Sequence, residues 1–292
     1  MTGTAKMTLP LLFDQAQARA TDFPLPIAMG FPCLEMGGLR IALMTRLETA
    51  HLMERVAAAR AGTADRPPVF MTSANGEVLS RVTRDPAVAG LFDAADIIHA
   101  DGQAMVITSQ LRHVLAFPER VATTDLFHDV ARLAERSGSR HYLLGGRPDV
   151  LALAEANARR LYPRMTIVGS HHGYVAPDEE EALLERINAL RPGVLWLGLG
   201  VPREQAFVVR NRHRLHGVGL IKTAGGLFDF LSGRRSRAPL WMQTAGLEWL
   251  YRVMLEPRRL GWRYLVTNPH ALAIMLRRPA EAGRLMPPLD AF

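Results

Sequence analysis

Asp101 occupies a position in the sequence where a carboxylate can do chemistry. It follows the apolar run Ile97-Ile98 and precedes Gly102, which lets the backbone turn and a ligand approach closely. A carboxylate there can act as a general base that takes a proton from a hydroxyl group. It can equally be the N-cap of a helix over 102–115, which is a common use of aspartate. The spacing alone favours the N-cap.

Two glycine-rich loops are candidates for binding a nucleotide. The first lacks the G-x-G-x-x-G spacing of dinucleotide sites, and a tight strand-to-helix turn explains it equally well. The second ends in an acid and an amide that can read a base edge or ribose hydroxyls, or can simply form a solvated first helical turn. The residues concerned are Gly145 and Gly146 in the first loop, and Gly198, Gly200, Glu204 and Gln205 in the second.

A cationic segment near the C-terminus carries a local charge excess as large as that of the whole chain, which is +7. Such a block favours contact with phosphates of a membrane, a nucleic acid or a diphosphate substrate, and high arginine usage in the genome is the alternative explanation. Tryptophan and leucine between the arginines favour lipid over nucleic acid. Between Gly233 and Arg278, this segment contains two acids, Glu248 and Glu256, and nine arginines, at 234, 235, 237, 252, 258, 259, 263, 277 and 278.

Metal binding is not indicated by the sequence. His171 and His172 are adjacent, so their side chains project in different directions, and no nearby acid completes a ligand set. A D-x-D pair is also absent. If the site handles phosphate, arginines and helix N-termini must therefore meet its charge.

The elements that position these residues alternate between short apolar runs and longer helical patterns. This alternation predicts an α/β fold with a Rossmann-like, mostly parallel sheet flanked by helices, and ligands in such sheets lie at the carboxyl ends of the strands. Polar or glycine-rich loops follow five of the six predicted strands. We expect strands at 68–72, 96–100, 140–145, 166–170, 194–199 and 217–223, and helices at about 77–92, 102–115, 125–137, 148–161, 178–191 and 203–215.

Three regions are expected from the same patterns. Residues 1–35 form an arm, 36–232 an α/β catalytic domain, and 233–292 an arginine-rich helical appendage with two helices hinged at Pro257. The single cysteine, Cys33, cannot form an internal disulfide and favours a reducing compartment. No apolar stretch reaches the roughly 18–20 residues of a spanning helix.

Eight segments in order resemble the WecG/TagA/CpsF family of glycosyltransferases, over about residues 35–270. A chance match to all eight is implausible, although no single segment is specific. They are D-G at 101–102, R-V-A-T-T-D at 120–125, Y-L-L-G-G at 142–146, V-G-S-H-H-G-Y at 168–174, G-L-G-V-P at 198–202, G-L-F-D at 226–229, R-A-P at 237–239 and G-L-E-W-L-Y-R at 246–252.

The resemblance implies an inverting glycosyltransferase that needs no metal or cofactor and moves a sugar from a UDP donor to a polyprenyl-diphosphate-linked saccharide. N-acetylmannosamine, its uronic acid and glucose are the candidate sugars, for an exopolysaccharide or another cell-envelope glycan. The resemblance also implies a peripheral position on the cytoplasmic face of the inner membrane, with the appendage touching the membrane and supplying arginines to the site. A homo-oligomer is left open.

Residue by residue, the resemblance implies that Asp101 is the catalytic base. Asn75 with Thr72 or Ser73 matches a T-x-N loop near the reacting sugar. The substrate-binding positions that it implies outside the glycine-rich loops are Arg120 and Asp125, which match R-x-x-G-x-D, and the appendage arginines Arg237, Arg252, Arg258 and Arg259.

This sequence departs from the family pattern in the candidate site. Thr123 replaces the glycine of R-x-x-G-x-D, and the usual P-K-Q-E reads P-R-E-Q at 202–205. The swap of acid and amide leaves open whether Glu204 or Gln205 takes the family role. Thr72 and Ser73 are likewise both candidates for the threonine of the T-x-N loop.

Two other functions suit parts of the pattern. A nucleotide-dependent oxidoreductase would use the same α/β layout, but the sequence lacks its glycine fingerprint and a ribose-binding acid at the right distance. A non-catalytic, membrane-associated nucleotide-binding module would explain the arginine block without a catalytic Asp101.

Overall fold

The computed structural model describes residues 31–60, 66–112 and 116–277. Eight strands form one sheet in the order β1-β2-β4-β3-β8-β7-β5-β6. Every neighbouring pair is parallel except β1 and β2, which are antiparallel. The strands are β1 Cys33–Met36, β2 Leu39–Ala42, β3 Val69–Ala74, β4 Ile97–Ala100, β5 Arg140–Gly145, β6 Thr166–His171, β7 Val194–Gly198 and β8 Leu220–Thr223.

Helices cover both faces of the sheet, as parallel strands with few polar side chains require. This arrangement confirms the predicted fold class. The helices are α1 Arg46–Arg60, α2 Gly76–Val82, α3 Pro86–Asp93, α4 Gln103–Arg112, α5 Thr123–Ser137, α6 Pro148–Leu161, α7 Glu180–Leu190, α8 Arg203–Asn211, α9 Leu227–Leu231, α10 Leu240–Thr244, α11 Glu248–Leu255 and α12 Pro257–Arg277.

The predicted strands all exist, with ends shifted by up to three residues. The helix predicted over 77–92 is instead two helices, because Asp85 accepts hydrogen bonds from the Ala87 and Val88 amides and starts α3 with Pro86 in its first turn. The helix predicted over 102–115 is described only to Arg112, and 113–115 lie outside the described residues.

The N-terminal part of the sheet was not predicted. The expected arm over 1–35 lies outside the described residues up to 30, and its last three residues belong to β1. β1 and β2 are only four residues long, and they join at Gly37-Gly38, where both glycines have positive φ. The helix α1 follows and covers one face of the sheet through Leu52, Met53 and other buried residues.

The last described helix, α12, shares a core with the sheet. α11 and α12 meet at Pro257, as predicted. The second half of α12 packs on α2, where Ala271 and Met275 are buried beside Leu79 and Val78. His270 Nδ1 lies 2.9 Å from the Ser80 hydroxyl oxygen. Among the described residues, no helix is long and apolar enough to cross a bilayer.

A buried polar chain ties α1 to the amino-terminal end of β5. The Trp196 indole N–H donates to His141 Nδ1 (3.1 Å), so His141 carries its proton on Nε2 and donates it to Ser139 Oγ (2.8 Å). The Ser139 hydroxyl donates to a Glu54 carboxylate oxygen (3.0 Å). Burial lowers the pKa of His141 to about 3, so the ring is neutral in the folded protein.

The buried His141 predicts a dependence of stability on pH. Since its pKa is about 6.5 in the unfolded chain, only the unfolded chain takes up this proton as pH falls. The stability that neutral His141 contributes is therefore present above pH 6.5 and is lost as the pH falls. We expect the unfolding free energy to decrease by about 1 kcal/mol from pH 7 to pH 5.5. Urea unfolding of His141→Asn, which keeps an acceptor for Trp196, should show a flatter pH slope than wild type.

The matched control for this measurement is His216→Gln, since His216 is an exposed histidine of the same chain. It should leave the slope unchanged. Identical slopes for wild type and His141→Asn would contradict the assignment of this pH dependence to His141.

Candidate active site

The loops that follow β3 and β4 meet at the carboxyl edge of the sheet. Ala74 and Ala100 pair in register, and the Asp101 amide donates to the Ala74 carbonyl (2.8 Å). Asn75 and Asp101 are therefore the first residues beyond two neighbouring strands. A Cβ at Gly102 would lie 3.2 Å from Asn75 Cα, so Gly102 permits the close approach of the two loops.

The carboxylate of Asp101 is held by residues that come later in the chain. Its Oδ1 accepts from Nε and an Nη nitrogen of Arg120, both at 3.3 Å. Its Oδ2 accepts from the backbone amide (3.2 Å) and the hydroxyl (3.1 Å) of Thr123. Asp101 thus caps the first turn of α5, and the alternative of an N-cap for α4 is wrong.

The T-x-N loop places its members at different depths. Asn75 is the N-cap of α2, and its side-chain oxygen accepts from the Val78 amide (3.1 Å). Thr72 is fully buried, with its hydroxyl 2.7 Å from that of Thr223. Ser73 is partly exposed. Of the two candidates for the family threonine, Ser73 is therefore the more accessible.

Glu204 and Gln205 both point into the protein. Glu204 Oε2 accepts from the amides of Gly200 (3.1 Å) and Gly225 (3.0 Å), so this side chain connects the loops after β7 and β8. Burial raises the pKa of Glu204. Gln205 Nε2 donates to Thr72 (3.1 Å), and its oxygen lacks a partner among the described residues.

Glycine is required in the two glycine-rich loops for two different structural reasons. At Gly145, φ is +136° and a Cβ would lie 2.2 Å from the Gly198 carbonyl oxygen; at Gly198, a Cβ would lie 2.8 Å from the Phe228 ring. The packing of β5 against β7 therefore requires Gly145, and the packing of α9 against β7 requires Gly198. Gly146 and Gly200 also have positive φ, at +68° and +79°, and nothing lies within 4 Å of a Cβ at Gly200. The loop after β7 is thus open where it turns.

Glu248 of α11 joins the C-terminal helices to the carboxyl edge of the sheet. Its Oε2 accepts from an Nη nitrogen of Arg120 (2.6 Å), and its Oε1 accepts from Arg252 (3.0 Å). Arg237 is a third cation near the same carboxylate, at 3.9 Å. Burial opposes ionisation of Glu248, but these arginines outweigh it, and the pKa of the carboxyl lies below its usual value.

Arg237 and Asp125 complete this cluster. They form an ion pair, and Arg237 also donates to the side-chain oxygen of Gln243 (2.5 Å). Asp125 lies 3.8 Å from Arg46 of α1. The structure therefore brings together four of the six expected substrate-binding residues outside the glycine loops, Arg120, Asp125, Arg237 and Arg252.

The sequence comparison with protein families covers all of this architecture. The model of the glycosyl transferase WecG/TagA/CpsF family matches residues 34–284. The chain belongs to this glycosyltransferase family. The match runs from β1 through α12, so the family relationship includes the C-terminal helices together with the sheet.

Among the side chains that the structure describes, Arg234, Arg235 and Arg258 of this glycosyltransferase form no ion pair with the cluster. Arg258 is exposed at the start of α12, and the side chain of Arg259 lies outside those that the structure describes. Arg234 pairs with Asp149 (2.7 Å). Arg235 lies 3.1 Å from Glu256. Carboxylates thus neutralise much of the positive segment that the sequence shows.

Two residues of the site were not among those predicted. Glu248 stood out in the sequence only as one of two acids among the arginines, and Thr123 only as a departure from the family glycine. In the structure Thr123 supplies two hydrogen bonds to Asp101, and a glycine could supply only the backbone one.

No metal-ligating group is evident in the described part of the chain. No cluster of three or more His, Cys, Asp or Glu side chains occurs there. The rings of His171 and His172 lie with centroids 4.4 Å apart and planes tilted by 46°, and His171 Nδ1 lies 2.9 Å from the carbonyl oxygen of His172.

Proposed function

We propose that this glycosyltransferase transfers a hexose derivative from a UDP-sugar to a polyprenyl-diphosphate-linked saccharide, with inversion and without a metal ion. The single observation that carries the proposal is the position of Asp101, at the carboxyl edge of the sheet, next to Asn75 and within reach of the arginine cluster. The sugars considered are N-acetylmannosamine, its uronic acid and glucose.

The contacts of Asp101 suit a base. Charge-assisted hydrogen bonds to carboxylates are usually about 2.7–2.9 Å long. Those from Arg120 and Thr123 are longer, at 3.1–3.3 Å, and together they fix the orientation of the carboxylate. In the proposed step, Asp101 takes the proton of an acceptor hydroxyl while that oxygen bonds to the anomeric carbon and the bond to UDP breaks.

The charge of the leaving UDP has protein groups to meet it. α6 and α8 begin directly after glycine turns at the carboxyl edge, and helix N-termini bind phosphate through free amides. Arg120, Arg237 and Arg252 lie in one cluster close to Asp101. Each of their guanidinium groups can donate two hydrogen bonds to a diphosphate in a bidentate contact, whether the diphosphate belongs to the donor or to the lipid acceptor.

The proposal is tested by screening UDP-sugars with a short-chain lipid diphosphate saccharide as acceptor, in EDTA. The expected result is transfer from one donor class, undiminished by EDTA, with inverted anomeric configuration by NMR. Retention of configuration, loss of turnover in EDTA, or the absence of transfer with every UDP-sugar would contradict it.

We further propose that the C-terminal helices lie on the cytoplasmic face of the inner membrane. Large apolar side chains on α10, α11 and α12 are unusually exposed for a protein surface. Aromatic and aliphatic groups beside arginines are typical of segments that enter the headgroup region. The most exposed are Leu240 (74%), Trp241 (64%), Met254 (65%), Trp262 (74%) and Leu265 (67%).

We expect Trp241→Gln with Trp262→Gln to reduce sedimentation with anionic vesicles at least severalfold, because both indoles would lose their place in the interface. Removal of the whole appendage is a poor test, since α12 also supplies Ala271 and Met275 to the core. The matched control is Tyr174→Gln, an exposed aromatic (67%) of the sheet domain. Unchanged sedimentation of the double variant would refute the membrane contact.

A further inference from the structure

Lys222 is a fully buried lysine directly behind the carboxyl edge of the sheet, where Asp101 lies. It lies in the central strand β8, with no exposed surface. Its Nζ donates to the Thr223 carbonyl (2.5 Å) and lies 3.5 Å from the Thr123 hydroxyl oxygen. No carboxylate among the described residues forms a direct ion pair with it. Burying an ammonium in this way is costly, and packing alone would favour an apolar side chain.

We infer that Lys222 is a positioning residue for the reaction, which holds the Asp101 carboxylate charged and in place through the hydroxyl of Thr123. The inference rests on the proposed role of Asp101 as base. Lys222 itself cannot touch the substrate, since it is buried beneath the loops.

The direction of the hydrogen bonds follows from donor and acceptor chemistry. A lysine ammonium only donates, so the Thr123 oxygen must accept from it. The hydroxyl has one proton, which it therefore donates to Asp101 Oδ2 (3.1 Å). Polarisation by the ammonium strengthens this second bond. The relay fixes Oδ2 from inside the protein, and Oδ1 accepts from the guanidinium of Arg120.

The charged and titratable groups that face Lys222 come from three elements. They are Asp101 after β4, Glu204 in α8 and His99 in β4. Burial lowers the pKa of Lys222 to about 8 against the opposing effect of the two carboxylates, so the side chain is mostly charged at pH 7. Burial and the lysine together lower the pKa of His99, which stays neutral.

This arrangement depends on the side chain at position 123. A glycine there, as the family resemblance leads one to expect, would offer no hydroxyl to carry the effect of a buried cation to the aspartate. In this chain Thr123 donates to Asp101 from both its amide and its side chain. Lys222 and Thr123 therefore act on Asp101 as a pair, because the ammonium of Lys222 reaches the carboxylate only through the Thr123 hydroxyl.

The test is the pH profile of kcat for Lys222→Met, Thr123→Val and Thr123→Ser. Removal of a nearby positive charge makes the Asp101 carboxyl easier to protonate. We expect the acidic limb of Lys222→Met to move up by about one pH unit, with kcat at neutral pH about tenfold lower and KM for the donor little changed. Thr123→Val should move the limb in the same direction, and Thr123→Ser, which keeps the hydroxyl, should not.

A thermal melt separates this role from a structural one. Since methionine replaces a buried ammonium by an apolar chain, Lys222→Met should melt no lower than wild type. A lower melting temperature with an unmoved acidic limb would overturn the inference. So would a limb that moves equally in Thr123→Ser and Thr123→Val. An active Asp101→Asn variant would contradict the proposed function itself. If Asp101→Asn is inactive while Lys222→Met keeps the acidic limb of the wild-type pH profile, only the role of Lys222 is refuted.

Discussion

Asp101→Asn is expected to abolish sugar transfer while leaving the binding of UDP-sugar nearly intact. Asparagine has the shape of aspartate but cannot take a proton, and general base catalysis contributes about 10²–10⁴-fold to a rate. The amide can keep its oxygen toward only one of its two sets of donors, Arg120 or Thr123. We therefore expect kcat to fall by about 10²–10⁴-fold, with the donor dissociation constant within about threefold of wild type.

The measurement is initial-rate kinetics together with calorimetric titration of the UDP-sugar. Asp93→Asn is the matched control, because Asp93 is an exposed aspartate at the end of α3. It should show wild-type turnover. If Asp101→Asn turned over at the wild-type rate, the base would have to be another group.

The second large effect is expected at Arg120, which contacts carboxylates on both sides. Its guanidinium connects Asp101 with Glu248. All three side chains are mostly buried: Asp101 is 19% exposed, Arg120 16% and Glu248 10%. Breaking a buried ion pair by removing one partner costs about 3–5 kcal/mol, since a charge is left uncompensated. Arg120→Met should therefore lower both kcat/KM and the unfolding free energy.

A double-mutant cycle isolates the contact with Glu248. Glu248→Gln combined with Arg120→Met should destabilise by less than the sum of the single variants, because the lone buried carboxylate is gone. Arg120→Lys is the matched variant, which keeps the charge but lacks the planar fork that contacts two carboxylates at once. Wild-type kcat/KM in Arg120→Lys, or additive effects on stability, would contradict the bridging role.

The strand-end loops could be predicted because parallel strands share one carboxyl edge. Once 68–72 and 96–100 were predicted as parallel strands, Asn75 and Asp101 were expected at the same edge of the sheet, and the pairing of β3 with β4 places them side by side. The helix cap at Asp101 was predicted on the wrong helix, since its sequence neighbour is α4. The true partner, α5, begins 22 residues later and approaches only after the sheet is assembled.

The charge cluster could not be predicted from the same pattern. Local composition shows an arginine excess after Gly233, but its partners Asp125 and Asp149 come from α5 and α6. Glu248 lies 128 residues from Arg120 in sequence. Such pairs depend on how helices pack across the edge of the sheet, which periodicity does not specify. β1 and β2 were missed for another reason, because an exposed charged residue, Glu35 or Arg40, interrupts each short apolar run, whereas β4 and β8 are buried throughout.

The packing of α12 on α2 also affects how the protein is made. Ala271 and Met275 fill the space above Leu79, and a Cβ at Gly76 would lie 3.3 Å from Ala271. A nascent chain on the ribosome therefore cannot close this part of its core until α12 has left the exit tunnel. Until then the apolar face of α2 is open to chaperones. Of the described helices, α12 is thus the last to be synthesised, and the sheet domain becomes fully resistant to proteolysis only once α12 has packed on α2.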